Sequence, residues 1–430
     1  MVAIISRRWV ACALVLAAAF PLISAELPQS VVPEGVGVNI HFTRGHEQDL
    51  DLIAQAGFKF IRMDFGWAGI ESVKGQYDWT AYEELLGNLD KRGVRALFIL
   101  DYTNPLYEEK VTSRNPITGA THETIASPQH PEGVAAFAKW AGAAAGHFKG
   151  RHVIWEIWNE PNIEFWSPKP DASQYATLAL AACKEIRKAD PNATIIGPAT
   201  SGFPWEFLET CFKAGLLDYW DAVSVHPYRD YKQSPETAVR DYQRLGELAA
   251  RYTKPGKPKT VILSGEWGYS TFNKGLPLET QAAFAARQQL ANLLNNVPLS
   301  IWYDWKNDGP DAAEREHNFG VVTQKLDPKP AYTAIKTLTT ELAGFEIKRR
   351  LPCESENDFV LLLENADGKQ KLAAWTAAVQ PRRVSVPFDV PAGSQLRGVY
   401  SDGSAFTPES SDGKVRIELK PAPQYISRKP

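Results

Sequence analysis

The sequence is short of several residue types on which familiar chemistries depend. Of 430 residues, four are cysteine and two are methionine. Cys12 lies in an N-terminal apolar segment, leaving Cys183, Cys211 and Cys353. An odd number with no C-x-x-C pair argues against a structural zinc site. Cys183 and Cys211 fall on successive expected helices and could pair in an oxidising compartment; buried free thiols fit their positions equally well. An excess of positive charge is also missing. The 47 basic and 50 acidic side chains leave a net charge of -3, so the phosphate-neutralising surface of a nucleic-acid binder is not expected. There is no G-x-x-x-x-G-K-[ST] loop and no G-x-S-x-G elbow. Gly35 and Gly37 lack the third glycine of a dinucleotide fingerprint. His46 and His122, each followed by Glu, lack the second histidine of a zinc-protease helix. No cofactor or metal is therefore expected, and the acidic loop holding Asp308, Asp311, Glu314 and Glu316 reads as solvated rather than calcium-binding.

What is present begins with an ordinary globular composition, 44% hydrophobic and 23% charged. Aromatic residues are plentiful, with 13 Trp, 15 Tyr and 19 Phe. Residues 1–25 carry the order of an export signal: Arg7 and Arg8, an apolar run from Trp9 to Phe20, then Ile23, Ser24 and Ala25 as a cleavage site. The apolar run is shorter than the roughly 20 residues of a spanning helix. A mature chain starting near Glu26, periplasmic or secreted, is the expectation; an uncleaved anchor holding the protein at the inner membrane is the alternative.

From Val36 onward short apolar runs alternate with longer amphipathic stretches. The runs are Val36 to Phe42, Phe58 to Trp67, Val94 to Tyr102, Val153 to Trp158, Thr194 to Pro198, Ala222 to His226, Thr260 to Leu263 and Leu299 to Trp305. They are rich in Val, Ile, Leu and aromatics without strict alternation, as expected of strands buried on both faces. Each is followed by a helix-like segment, so residues 26–344 read as an α/β protein of the (β/α)8, or TIM, barrel type. From residue 345 to 430 the grammar changes. Short strand candidates at Phe359 to Glu364, Leu372 to Thr376, Arg383 to Val386, Leu396 to Tyr400 and Val415 to Leu419 are separated by turns, including Asp367-Gly368, Pro391 to Gly393, Asp402-Gly403 and Asp412-Gly413. This tail reads as a C-terminal antiparallel β-sandwich, docked on the barrel as a stabilising appendage rather than serving as a sugar-binding module.

Two strand ends carry chemistry. The fourth run ends in Trp158, Asn159, Glu160 and Pro161, and the seventh leads into Gly265, Glu266, Trp267 and Gly268. In a barrel both glutamates stand at the C-terminal rim, where active sites are built, on strands that face one another across the mouth. One carboxylate at a strand end is ordinarily a solvated or ion-paired group. Two, on facing strands and both beside Trp, match the paired carboxyls of glycoside hydrolysis.

On these segments the chain resembles the retaining glycoside hydrolases whose acid/base and nucleophile glutamates lie on strands four and seven, and within them glycoside hydrolase family 39. The resemblance covers the barrel. It implies Glu160 as acid/base and Glu266 as nucleophile, with Arg62, Asn159, His226, Tyr228 and Trp302 or Trp305 completing the site. Arg62 and the Tyr228 hydroxyl would keep Glu266 ionised. Glu160 must begin protonated, Asn159 can hold the sugar 2-hydroxyl, and the strand-eight tryptophan can offer an apolar platform. Trp166 and Trp205 are candidate platforms in neighbouring subsites. With Trp267 and Trp305 they suggest a rim of several subsites and therefore cutting inside a polysaccharide, the producer's own exopolysaccharide among the candidates. The long loop from Thr103 to Pro131, containing Tyr107 and His122, could instead wall off one end. An exo-acting β-xylosidase, a β-mannanase-like hydrolase and a non-catalytic carbohydrate-binding scaffold remain the alternatives.

Overall fold

The computed structural model describes residues 26–114, 119–389 and 395–429. The N-terminal signal or anchor and the Pro391 to Gly393 turn lie outside them. Among the described residues no helix is long and apolar enough to cross a membrane.

Eight parallel strands close into a barrel: β1 (Val36–Asn39), β2 (Phe60–Gly66), β3 (Arg95–Asp101), β6 (Ile154–Ile157), β7 (Thr194–Ser201), β8 (Ala222–His226), β9 (Val261–Trp267) and β10 (Ser300–Trp302). They pair in the order β1-β10-β9-β8-β7-β6-β3-β2. Helices follow them as the apolar rhythm predicts: α1 (Glu47–Gln55), the one-turn α2 (Trp67–Ile70), α3 (Thr80–Asp90), α4 (Pro131–His147), α5 (Ala172–Ala189), α6 (Trp205–Lys213), α7 (Val239–Ala250), α8 (Leu278–Leu294) and α9 (Pro330–Glu341). The loop after β3 is not structureless. It holds the antiparallel hairpin β4 (Lys110–Arg114) and β5 (Thr121–Ile125).

Strand side chains alternate, so each barrel strand feeds two cores. Phe60, Leu97, Ile99, Ile154, Ile196, Ala222, Leu263, Leu299 and Ile301 fill the interior. Their neighbours, such as Ile61, Phe98, Trp155, Ile195, Val223 and Trp302, pack outward as part of the larger core that includes the helices. Both faces being apolar explains why the runs read as continuous rather than alternating.

Among the described residues the C-terminal part holds nine strands where the sequence suggested five. A six-stranded sheet runs β11 (Phe345–Arg350), β12 (Asp358–Asn365), β13 (Gln370–Thr376), β19 (Gln424–Arg428), β15 (Leu396–Tyr400) and β16 (Ala405–Phe406); a three-stranded sheet runs β14 (Arg382–Pro387), β18 (Lys414–Leu419) and β17 (Glu409–Ser411). Val360, Leu372, Ala374 and Ile426 turn toward the small sheet. Their alternates Phe359, Leu361, Leu363, Ala373, Trp375 and Tyr425 join the barrel's own core. The sandwich is thus welded to the barrel through one face of its larger sheet. Cys183 and Cys211 are buried, free thiols, so the bridge considered between them is not formed. Burial pushes the Cys183 thiol up to about 12 and Cys211 up as well, which leaves them unreactive.

Candidate active site

Strand parity decides which side chains meet at the mouth. Phe60 faces the interior, so Arg62 does too; Ile154 brings Glu156 inward, and Ala222 brings Ser224 and His226. Beyond β6 the backbone leaves strand geometry, with Trp158 at φ 68° and Glu160 at φ 46°. Left-handed non-glycine residues are costly and persist where their surroundings hold them. Here the Glu160 amide donates to the Ala199 carbonyl at 2.9 Å. On β9, parity from the inward Leu263 would aim Glu266 outward. Pairing with β10 slips between Ser264–Ser300 and Trp267–Trp302, three steps facing two. This bulge lets Gly265 and Glu266 both serve the interior and returns Trp267 to the outer core. Gly265 has no alternative: a Cβ there would lie 2.2 Å from Ser224 Oγ and 2.9 Å from Glu156 Oε1.

Arg62, 1% exposed, is the hub. Its Nη1 donates to Glu266 Oε2 at 2.6 Å and its Nε to Glu156 Oε2 at 2.7 Å. Nη1 also reaches Asn39 Oδ1 at 3.3 Å, and Nη2 donates to Asn159 Oδ1 at 2.8 Å. Nη2 further contacts His226 Nε2 at 3.2 Å, and His226 Nδ1 lies 2.9 Å from Glu160 Oε1. A guanidinium only donates, so Nε2 must accept and the ring proton sits on Nδ1, donating to Glu160. Tyr228 completes the shell, its hydroxyl donating to Glu266 Oε1 at 2.7 Å. Burial, then the charge of Glu266, pushes the Tyr228 phenol well above its ordinary range, so it stays a donor. Asn159 Nδ2 donates to the Tyr102 hydroxyl at 2.9 Å, which leaves its second amide hydrogen for a ligand. One oxygen each of Glu160 and Glu266 and a His226 ring nitrogen all lie within 4.8 Å of one another.

The structure therefore gathers Arg62, Asn159, Glu160, His226, Tyr228 and Glu266 into one cluster. The four tryptophans proposed as platforms belong elsewhere. Trp166 is fully buried against Trp158 and Tyr175, its Nε1 bonded to Gln174 at 3.2 Å. Trp302 is fully buried on the outer parity of β10, beside Tyr269. Trp305 ties the end of the barrel to α1 through Asp49 at 2.9 Å. Trp205 is half-buried, with Phe203 stacked on it and the Arg244 guanidinium 3.9 Å from its ring centre. Trp166, Trp302 and Trp305 are core, and Trp205 is engaged by Phe203 and Arg244.

Sequence reading missed five side chains. Tyr303 follows Ile301 by two residues, so parity aims it into the mouth, where it is partly exposed beside Phe319 and His41; the two tryptophans flanking it drew attention away. Tyr102 and Glu156 gave no signal beyond their place at strand ends. His41 and Asp304 form a pair at 3.1 Å. Burial works against the His41 charge, but the Asp304 bond and charge, with Asp308 and Asp64, outweigh it and bring the imidazole to about 9. Burial lifts Asp304 to about 6, against the pull of His41.

Residues 30–309 match the model of the family described as Cellulase (glycosyl hydrolase family 5). Over 247 residues the chain is 26% identical to a beta-xylosidase of Caldicellulosiruptor saccharolyticus, an overlap of 50% of this chain and 48% of that protein. The chain thus spans about half the length of this curated relative. Among solved structures, a family 39 glycoside hydrolase of Bacteroides cellulosilyticus WH2 superposes with a TM-score of 0.77 at 24% identity, covering 92% of this chain and 81% of that one. A GH39 beta-xylosidase of Caulobacter crescentus gives 0.66 at 19%, covering 95% and 98%. At these identities the structural likenesses speak to the fold. The family match is to a glycosyl hydrolase family of the broad group expected from the two strand-end glutamates, and the fold is the barrel expected.

Proposed function

Because the chain belongs to the Cellulase (glycosyl hydrolase family 5) family, we propose that it is a retaining β-glycosidase in which Glu266 is the nucleophile and Glu160 the acid/base. The observation that carries this is the approach of the two carboxyls, oxygen to oxygen within 4.8 Å. Retaining pairs stand about 5 to 5.5 Å apart, whereas inverting pairs need about 6.5 to 9.5 Å to admit a water. The partners divide the roles. Glu266 is bonded by a buried guanidinium and a phenol, which favour the charged, attacking form. Glu160 accepts from the imidazole N–H of His226 and is free to pass a proton to the leaving oxygen and to take one from water in the second step. Asn159 is held by Arg62 and Tyr102 with a hydrogen to spare for the sugar 2-hydroxyl. The anomeric configuration of the first product, read by NMR before mutarotation, tests the reading. Retention is expected, and inversion would sink it.

The substrate we propose is a β-linked polysaccharide cut internally, the producer's own exopolysaccharide included. The tryptophan rim no longer supports this. Its support is now the exposure of two aromatic residues, Phe165 and Tyr231, 44% and 41% exposed on the loops after β6 and β8, with Tyr102 beside the first and Lys232 over the ring of the second. A second reading, an exo-acting β-xylosidase, is favoured by the beta-xylosidase relative and by the β4–β5 hairpin as an end wall. The earliest products from polysaccharide separate them, oligosaccharides for the first and monosaccharide alone for the second. Export, with a mature chain from near Glu26, rests on the order of residues 1–25. N-terminal sequencing of the native protein tests it, and a membrane-held chain retaining Met1 would replace it with the anchor.

A further inference from the structure

Glu156 is a buried carboxylate that the proposed mechanism does not use. It stands on β6 four residues before Glu160 and is 0% exposed. Its Oε2 accepts from Arg62 Nε at 2.7 Å and its Oε1 from Ser224 Oγ at 2.5 Å. Arg62 in turn spends its other edges on Glu266, Asn39, Asn159 and His226. One buried positive charge is therefore shared between two carboxylates at nearly equal distance, 2.7 Å and 2.6 Å. The Arg62 charge is held firmly, because the charges of Glu156 and Glu266 outweigh a burial that opposes it. Gly265 is bare on the same spot: the Cβ of any other residue would press on both Ser224 and Glu156. The sequence around the nucleophile thus keeps room for this carboxylate.

We infer that Glu156 is a positioning residue that sets how much of the Arg62 charge the nucleophile feels. Two effects follow from the geometry. The Nε bond fixes the guanidinium plane, so that Nη1 meets Glu266 while Nη2 meets Asn159 and His226; no other acceptor holds that third edge. The Glu156 charge also draws on the same cation. Without it, Arg62 would act undivided on Glu266, making that carboxylate easier to ionise and a poorer nucleophile. Ser224 works in the opposite sense. By donating to Oε1 it spreads the Glu156 charge and weakens its pull on Arg62. This inference rests on the glycosidase reading for its kinetic part and on geometry alone for the placement of Arg62.

The test pairs kinetics with a signal that needs no turnover. E156Q keeps the shape and removes the charge. On an aryl β-glycoside whose first step limits the rate, kcat should fall about tenfold while KM stays within about twofold. The acid limb of the kcat/KM profile should move to lower pH by about one unit. S224A should shift that limb the other way, by less, and it decides the matter if E156Q does not fold. In ¹H–¹⁵N spectra the Arg62 Nε–H resonance should move upfield in E156Q. An E156Q enzyme with the parental rates, pH profile and Arg62 resonance would overturn the inference and leave Glu156 as packing. If the parent enzyme itself neither turns over aryl glycosides nor is labelled on Glu266 by a 2-deoxy-2-fluoro glycoside, the glycosidase reading fails, and the Arg62 resonance alone then decides the positioning role.

Discussion

Glu266 is held at both oxygens, by Arg62 on Oε2 and Tyr228 on Oε1, so each donor can be removed singly. Y228F deletes a hydrogen bond to a charged group, worth about 1.5–3 kcal/mol. Its kcat/KM on an aryl β-glycoside should fall by roughly 10- to 150-fold with the fold unchanged, as checked by steady-state kinetics and thermal melting. An unchanged kcat/KM would show that Arg62 alone orders the nucleophile. Glu160 makes a different prediction. E160A removes the acid, so substrates with good leaving groups should keep far more of their first-step rate than poor ones. Added azide should then yield a β-glycosyl azide, identifiable by NMR; E266Q should give no turnover with either class of substrate. Recovery of an α-azide from E160A would exchange the two roles.

At the scale of elements, α9 begins with a buried cation. Lys329, 6% exposed, directs its ammonium to Thr271 Oγ1, Asn307 Oδ1 and the Asn318 carbonyl. None of these is charged, and burial brings the amine down to about 8 from 10.5. Below pH 8 both folded and unfolded chains carry the proton, and burying it costs stability. Between about pH 8 and 10.5 the unfolded chain binds more protons than the folded one, so stability rises with pH across that window. The Lys329 contribution is on the order of 3 kcal/mol. Denaturation of K329M set against the parent should show this pH-dependent difference appear above pH 8; parallel curves would mean the ammonium is solvated in the folded state.

At the scale of the molecule, one buried network joins sandwich to barrel. Arg287 on α8 donates from Nε and Nη2 to the two Glu236 oxygens, at 2.7 and 2.6 Å, and from Nη1 to the Pro421 carbonyl at 3.4 Å. Trp375 of β13 donates its indole N–H to the same Glu236 at 2.8 Å. Burial opposes the Glu236 charge, but the Arg287 pair outweighs it and holds the carboxyl below its usual range. This group's contribution is therefore present above the ordinary carboxylate range and lost as pH falls through its folded value. Breaking such a pair from one side leaves a buried charge, a cost of about 3–5 kcal/mol. R287M should lower the unfolding midpoint accordingly, yet keep kcat below that midpoint, since the network touches none of the active-site cluster. Barrel and sandwich should also unfold as one unit in calorimetry, because Phe359, Leu361 and Trp375 complete the barrel's core. Two separate transitions would refute that.

The barrel and its two strand-end glutamates were legible in the residues alone. Eight apolar runs alternating with amphipathic stretches report burial on both strand faces, and Glu160 and Glu266 break that pattern at the one end where carboxyls can meet. Residue type could not say which aromatic rings face the sugar. Trp166, Trp302 and Trp305 are buried core and Tyr303 stands at the mouth; parity from Ile301 separates Trp302 from Tyr303, and packing that arises only when strands and helices meet buries the other two. A strict two-residue alternation would even have turned Glu266 outward; the slipped register between β9 and β10 reverses it, and register belongs to a pair of strands, not to either sequence. The same holds for Glu156. Its partners Arg62 and Ser224 lie 94 and 68 residues away along the chain, and only closure of the barrel makes that carboxylate a neighbour of the nucleophile's guanidinium.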